Sequence, residues 1–177
     1  MNTLENTPKT KGTKLHVRGK LAEILRTLEP KPESLKSTET VGETFLATMD
    51  KWPNTIAIDF HGVLTNGKIQ IAADGQTIYE TIHVKDIAAI RELIARGFEV
   101  YVVTSSNSTI IDAFCNKVGC VKIQDRTKRE VFKNIDYIAI GDSAFDYNLL
   151  TNTKWGYCPA DADRVLVDSV FIKTLET

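Results

Sequence analysis

The sequence has little cysteine and no long apolar segment, and both absences narrow the class of protein. Its three cysteines, Cys115, Cys120 and Cys158, give neither an even disulfide framework nor a metal-binding Cys-x-x-Cys pair, which favours free thiols in a reducing compartment. No run of about 18 apolar residues occurs, and the N-terminus lacks the continuous apolar stretch of a signal peptide. We therefore expect a soluble, cytoplasmic protein.

The chain also lacks an excess of charge of either sign. It has 22 Lys and Arg residues against 23 Asp and Glu residues, a formal net charge of -1. This balance argues against a protein that binds nucleic acid or an anionic membrane with its whole surface, and favours a small molecule or a protein partner. At 177 residues, one domain of this size can bury roughly 70% of its unfolded surface and needs no metal or disulfide to fold.

Residues 1–50 read as a polar N-terminal arm that is locally basic, with eight Lys or Arg against three Glu between Lys9 and Lys36. Apolar residues from Leu15 to Leu28 approach helical spacing, which is consistent with one short amphipathic helix that docks on the body or on another subunit. A solvated and mostly disordered tail fits the composition equally well. The arm lacks interleaved aromatic residues, so a nucleic-acid role is not favoured.

From Trp52 onward the pattern changes to that of a folded domain, assigned to residues 51–177. The run TIAIDF is typical of a strand buried on both faces of a parallel sheet. Two alternating runs follow, Lys68 to Ala72 and Thr77 to Val84, separated by the turn signal Asp74-Gly75. This pattern predicts a β-hairpin flap over about 66–84, protruding directly after the first strand.

Helical and strand patterns alternate through the rest of the chain. The predicted order, in sequence letters, is helix KDIAAIRELIA, strand FEVYVVTSS, helix STIIDAFCNKVG, strand VKIQ, a brief helical segment TKREVFKNI, strand DYIAIGDS, helix AFDYNLLTNT and strand WGYCPAD. Such alternation predicts an α/β, Rossmann-like three-layer sandwich with a parallel sheet. In such sheets the ligand site lies beyond the carboxyl ends of the strands.

Polar residues that could form such a site follow four of the predicted strands: Asp59, Thr104 with Ser105, Lys128, and Asp142 with Asp146. Converging carboxylates suit a hard cation such as Mg²⁺, and a lysine and a hydroxyl suit phosphate oxygens. An aspartate at a strand end can also attack phosphorus. Taken singly, each residue has a plainer role: aspartates form turns or helix N-caps, hydroxyls cap helices, and most lysines are solvated.

Four motifs in this order resemble the signatures of the haloacid dehalogenase (HAD) superfamily. DFHGVLT is similar to the first, VVTSSNS to the second, Lys128 in RTKREVF to the third, and GDSAFD to the fourth. The hairpin, the HVKD segment and GYCPADA are similar to the subgroup of 3-deoxy-manno-octulosonate 8-phosphate phosphatases, which has no large cap domain. The resemblance covers about Trp52 to Val170.

The resemblance implies a role for each matching residue. Asp59 is the expected nucleophile and a Mg²⁺ ligand, together with the backbone carbonyl of His61 and with Asp142. Thr104, Ser105, Lys128 and Lys85 are expected to bind phosphate or substrate, and Asp146 to support the metal site or Lys128. The subgroup also implies a homo-oligomer, a tetramer, in which hairpins help to close each site.

Two departures bear on activity. His61 stands where the superfamily has its general acid and base aspartate; imidazole can transfer protons near neutral pH, but a protonated His61 would repel Mg²⁺. Ile87 replaces a glycine and is expected to fill space near the mouth of the site. The leading hypothesis is a Mg²⁺-dependent phosphatase of a small sugar or sugar-acid phosphate. The alternative is a catalytically impaired scaffold that acts as a binding or regulatory protein.

Overall fold

The computed structural model describes residues 52–76 and 78–175. The predicted N-terminal arm, with its short helix between Leu15 and Leu28, lies outside the described residues. The strands are β1 (Thr55–Ile58), β2 (Thr65–Ile71), β3 (Ile78–Ile82), β4 (Glu99–Thr104), β5 (Val121–Gln124), β6 (Tyr137–Ile140), β7 (Trp155–Pro159) and β8 (Lys173–Leu175). The α-helices are α1 (Val84–Ala95), α2 (Thr109–Val118), α3 (Tyr147–Thr151) and α4 (Arg164–Val167).

Six strands form one parallel sheet in the order β5-β4-β1-β6-β7-β8. β1 lies in the interior of this sheet, between β4 and β6, and all four of its residues are buried. Because the strands are parallel, their carboxyl ends meet at one edge, where the residues that follow β1, β4, β5 and β6 converge. The predicted α/β architecture is confirmed.

Alternate residues of β1 pack on opposite faces of the sheet. Ile56 and Ile58 join a core cluster that includes Ile90 of α1 and Ile111 of α2. Ala57 joins a second cluster on the other face, with residues of α3 and α4. Helices therefore cover both faces and give three layers, as the apolar β-branched run of β1 predicts.

β2 and β3 form a separate two-stranded antiparallel hairpin, as predicted. Its turn uses Gly75 at φ 67°, and the Asp74 carboxylate accepts a hydrogen bond from the Gln76 N–H at 2.9 Å. Glycine tolerates this left-handed conformation, which a residue with a Cβ rarely adopts. Ile71 pairs with Ile78 across the strands, and both side chains are exposed.

One predicted element is wrong. The segment 127–135 forms turns instead of a brief helix, so β5 and β6 are joined by an irregular crossover. Lys128 (φ 48°) and Asn134 (φ 63°) adopt left-handed backbone angles that are incompatible with a right-handed helix. Phe132 nevertheless packs on the second core cluster, which explains the apolar residues in the pattern.

Two short elements at the end of the chain, α4 and β8, were not predicted. Each has four residues or fewer, too short for a periodic pattern to stand out. Among the described residues, no helix is long and apolar enough to cross a membrane.

Candidate active site

The site begins with Asp59, the first residue after β1. Its backbone N–H donates to the carbonyl of Ile140 at 2.9 Å, which continues the pairing between β1 and β6 by one more bond. Asp59 is 6% exposed. The carboxylate therefore stands at the carboxyl edge of the sheet, held by its own backbone and largely withdrawn from water.

The loop after β6 brings two further carboxylates to the same edge. Asp146 is 0% exposed, and its Oδ2 accepts hydrogen bonds from the backbone N–H groups of Asp142 (3.2 Å) and Ser143 (3.1 Å) and from Ser143 Oγ (3.0 Å). A Cβ on Gly141 would lie 2.4 Å from the Asp146 Cβ, so the loop closes this tightly because residue 141 is glycine. Asp146 thus shapes the loop that carries Asp142.

Lys128 connects the two loops. Its Nζ donates to Asp59 Oδ1 at 2.5 Å and to Asp146 Oδ1 at 2.6 Å, and the residue is 2% exposed. The solvated surface lysine that residue type alone suggests is therefore excluded. Both oxygens of Asp146 are occupied by protein donors, so this carboxylate supports the site and holds Lys128.

Asp125 is a supporting residue that sequence reasoning missed. Its Oδ1 accepts from the backbone N–H of Thr127 at 2.7 Å and from that of Lys128 at 3.0 Å, and these bonds hold Lys128 in its left-handed conformation. They lower the pKa of Asp125, because the backbone donors favour the charged carboxylate. An aspartate often accepts hydrogen bonds from the backbone two and three residues later and so forms a turn. The segment Asp-Arg-Thr-Lys could therefore have predicted this turn from the sequence.

The carboxylates of Asp59, Asp142 and Asp146 lie close enough to share a cation. Ligand oxygens from the three residues all lie within 4.8 Å of one another. Gly62 lies against them at φ 80°, and a Cβ there would be 1.7 Å from Asp142 Oδ2. The spacing of the three carboxylates, within 4.8 Å, is compatible with one octahedral Mg²⁺, whose ligands lie about 2.0–2.1 Å from the ion. The predicted proximity of Asp59 and Asp142 is met.

The electrostatics of the cluster favour added positive charge. Burial, together with the negative charges of Asp146 and Asp142, raises the pKa of Asp59 to about 7, although the ion pair with Lys128 opposes this shift. Burial lowers the pKa of Lys128, but Asp59 and Asp146 outweigh burial and hold this pKa above its ordinary value. One ammonium thus faces three carboxylates, and hard oxygen ligands with excess negative charge fit Mg²⁺.

The predicted phosphate and substrate ligands differ in their placement. Thr104 is buried at the end of β4, two residues beyond Val102, which pairs with Ile58. Its Oγ1 accepts a hydrogen bond from the Ser106 N–H at 3.1 Å, so the hydroxyl organises the loop that follows β4. Ser105 and Lys85 are exposed, and the structure does not bring their side chains together with the carboxylates.

His61 contacts the hairpin. Its Nε2 lies 3.3 Å from both carboxylate oxygens of Glu80 on β3, and its ring stacks edge-on against Phe60. Glu80 was not predicted, because no local pattern links two residues that only the hairpin brings together. Ile87, expected near the mouth of the site, is partly buried and packs against the first core cluster.

Solved structures with a similar fold include several phosphatases. A 3-deoxy-D-manno-octulosonate 8-phosphate phosphatase from Moraxella catarrhalis, in complex with a magnesium ion, a phosphate ion and 3-deoxy-D-manno-octulosonate, has a TM-score of 0.58 and 20% identity over 63% of this chain and 70% of that chain. The cobalt-bound deoxy-D-mannose-octulosonate 8-phosphate phosphatase from Haemophilus influenzae has a TM-score of 0.62 and 21% identity over 71% and 78%. A Legionella pneumophila protein described as a hydrolase of HAD superfamily subfamily III A has a TM-score of 0.62 and 20% identity over 68% and 71%.

The chain shares its fold with these solved structures. The resemblance drawn from the four motifs is confirmed at the level of the fold. No protein-family model and no curated protein matches the chain. Within this shared fold Asp59, Lys128, Asp142 and Asp146 converge, and this convergence is observed in the chain itself.

The raised pKa of Asp59 predicts how a cation changes stability with pH. A carboxyl whose folded pKa exceeds its ordinary value of 3.8 stabilises the fold at low pH, and that contribution is lost as pH rises through about 7. Mg²⁺ competes with the proton for the same carboxylate. We expect Mg²⁺ to raise Tm more at pH 8 than at pH 5.5, measured by circular dichroism. Asp59→Asn should remove most of this pH difference; an equal Mg²⁺ effect at both pH values would contradict the assignment.

Proposed function

We propose that the protein is a Mg²⁺-dependent phosphatase that hydrolyses a small phosphorylated sugar or sugar acid through an aspartyl-phosphate on Asp59. The observation that carries this proposal is the buried contact of Lys128 with both Asp59 and Asp146, beside Asp142. A lone aspartate at a strand end forms a turn or a cap. A buried aspartate that pairs with a lysine and lies beside two further carboxylates is instead typical of a catalytic or metal-binding site.

Asp59 is the proposed nucleophile. Lys128 Nζ donates a hydrogen bond to Oδ1 of this carboxylate. An Asp59 oxygen attacks phosphorus, the bond from phosphorus to the leaving oxygen breaks, and His61 supplies the proton that this oxygen needs. Water then attacks the aspartyl-phosphate, His61 takes a proton from that water, and inorganic phosphate is released.

Asp59, Asp142 and the backbone carbonyl of His61 would hold Mg²⁺. When bound, Mg²⁺ neutralises charge on the carboxylates and on the phosphoryl oxygens. Thr104 and Lys128 would bind the remaining phosphoryl oxygens, because a hydroxyl and an ammonium are suitable donors. Asp146 keeps Lys128 in place, and Ser105 and Lys85, both exposed, are proposed to contact the substrate beyond its phosphate.

The short insertion after β1 supports a small substrate. In the described residues the insertion after β1 is the β2–β3 hairpin, and no further domain follows it. Two of the structures with a similar fold are phosphatases of an eight-carbon sugar-acid phosphate, which supports a substrate of that class. A small anionic ligand is also consistent with a site that holds its phosphate by a few buried groups.

A phosphate-release assay tests the proposal. Purified full-length protein is incubated with a panel of sugar, sugar-acid and nucleotide phosphates, with Mg²⁺ and with a chelator. We expect release from at least one sugar or sugar-acid phosphate, and loss of that release on chelation. No release from any ester would favour the alternative, a binding or regulatory protein on a phosphatase scaffold.

Two substitutions at His61 test its role as acid and base. His61→Ala is expected to lower kcat by about 10²–10⁴-fold, the usual contribution of general acid and base catalysis. Mg²⁺ affinity should persist, because the expected ligand is the backbone carbonyl. His61→Asp, which restores the superfamily residue, should retain or raise kcat on the same ester. Equal activity of wild type and both variants would contradict a role for this side chain.

The hairpin is expected to mediate a homo-oligomer, a tetramer by resemblance to the subgroup. Ile69, Ile71 and Ile78 expose apolar side chains on it, and a two-stranded hairpin is only marginally stable alone. Light scattering at micromolar concentration should give about four times the chain mass, and Ile69→Lys with Ile71→Lys should reduce it. A monomeric wild type would contradict this prediction.

A further inference from the structure

We infer that Glu80 is a positioning residue for His61, fixing which imidazole nitrogen exchanges a proton with the reacting group. This inference rests on the proposed function, in which His61 is the acid and base. It identifies Nδ1 as the reacting nitrogen, with Nε2 turned to the hairpin.

The contact itself sets the tautomer. Nε2 of His61 lies 3.3 Å from Oε1 and from Oε2 of Glu80. An ionised carboxylate only accepts hydrogen bonds, so Nε2 must carry the proton in this pair. In the neutral ring Nδ1 is then unprotonated and can accept a proton from water; once protonated, it can donate to a leaving oxygen.

The Glu80 side chain is largely buried and that of His61 is partly exposed, as expected if Glu80 holds the ring and His61 meets the substrate. The Glu80 side chain is 5% exposed, whereas that of His61 is 41% exposed. Along β3 the neighbours of Glu80, Tyr79 and Thr81, are exposed, so strand alternation turns Glu80 inward. A carboxylate withdrawn from water requires a partner, and the Glu80 carboxylate meets the imidazole of His61.

The His61 ring also contacts Phe60, and His61 lies close in sequence to the carboxylate cluster. Phe60, which is buried, meets the His61 ring edge-on with centroids 5.2 Å apart and planes at 87°. His61 lies in sequence between Asp59 and Gly62, and Gly62 abuts Asp142. A histidine whose second nitrogen is held by a carboxylate is the arrangement that keeps an imidazole in a productive orientation.

Nitrogen-15 NMR of the imidazole tests the contact without any need for turnover. At pH 8, in full-length protein, His61 of the wild type should show the tautomer with the proton on Nε2. Glu80→Ala should give a mixture of tautomers, while Glu80→Gln, which keeps an acceptor oxygen at the same reach, should restore the wild-type signal. Thr81→Ala, on the exposed face of the same strand, is the matched control and should change nothing. An unchanged His61 signal in Glu80→Ala overturns the inference.

Kinetics separate a positioning role from a structural one. Glu80→Ala is expected to lower kcat about tenfold or more with little change in KM or Tm. In a His61→Ala background the same substitution should have no further effect, because Glu80 acts through that ring. If the wild type turns over and Glu80→Ala has the same kcat, the positioning role of Glu80 is wrong and the proposed function is unaffected. No turnover by wild type on any ester overturns the proposed function, whatever the NMR result.

Discussion

Asp59→Asn is expected to lower kcat for phosphate release by roughly 10⁴-fold or more, as removal of a covalent nucleophile does in other enzymes. Asparagine has the same shape and keeps an oxygen that can accept from Lys128 Nζ, now 2.5 Å from Asp59 Oδ1. It cannot form a stable acyl phosphate, because the amide is a poor nucleophile. The fold should therefore persist while the chemistry is lost.

The stability of this variant makes the test specific. Asp59 has a pKa of about 7 because it is buried beside Asp146 and Asp142, so a neutral side chain here relieves repulsion above that pH. Asp59→Asn should be at least as stable as wild type at pH 8 without Mg²⁺. Asp136→Asn, an exposed aspartate that lies 3.9 Å from Lys154, is the matched control and should keep full activity. Activity of Asp59→Asn within about tenfold of wild type would exclude Asp59 as the nucleophile.

Much of the fold was predictable because its signals are local. The apolar β-branched run of β1, the Asp74-Gly75 turn and the apolar face of α1 each identify an element without knowledge of the rest of the chain. The edge of the sheet that carries the site follows from the parallel order, since residues that come directly after strands must meet there.

The features that the sequence did not predict depend on contacts between residues that are distant in the chain. The crossover at 127–135 has helical apolar spacing, but Lys128 has a left-handed backbone, bonded by Asp125, and its ammonium contacts the distant Asp59 and Asp146. The tertiary contact overrides the local propensity. Glu80 reads as one polar position of an alternating strand, and its link to His61 arises from how the hairpin folds back.

Lys128→Met is expected to destabilise the protein by about 3–5 kcal/mol, the cost of breaking a buried ion pair by removing one partner. Methionine fills a similar volume, so the effect reports charge more than packing. Asp59 and Asp146, both buried, would lose the ammonium that bonds each of them. The free energy of unfolding, measured by urea denaturation without Mg²⁺, is the readout.

The pH dependence of that loss identifies its cause. Without Lys128 the pKa of Asp59 should rise further, because the ion pair is what now opposes burial and the neighbouring carboxylates. A carboxyl with a raised folded pKa costs stability as pH increases through that pKa, so the loss should be larger at pH 8 than at pH 5.5. Lys154→Met, which removes an exposed lysine 3.9 Å from Asp136, should cost less than about 1 kcal/mol at either pH. Equal losses in the two lysine variants would show that Lys128 does not neutralise the cluster, and the assignment of Asp59 as a lysine-held nucleophile would then be wrong.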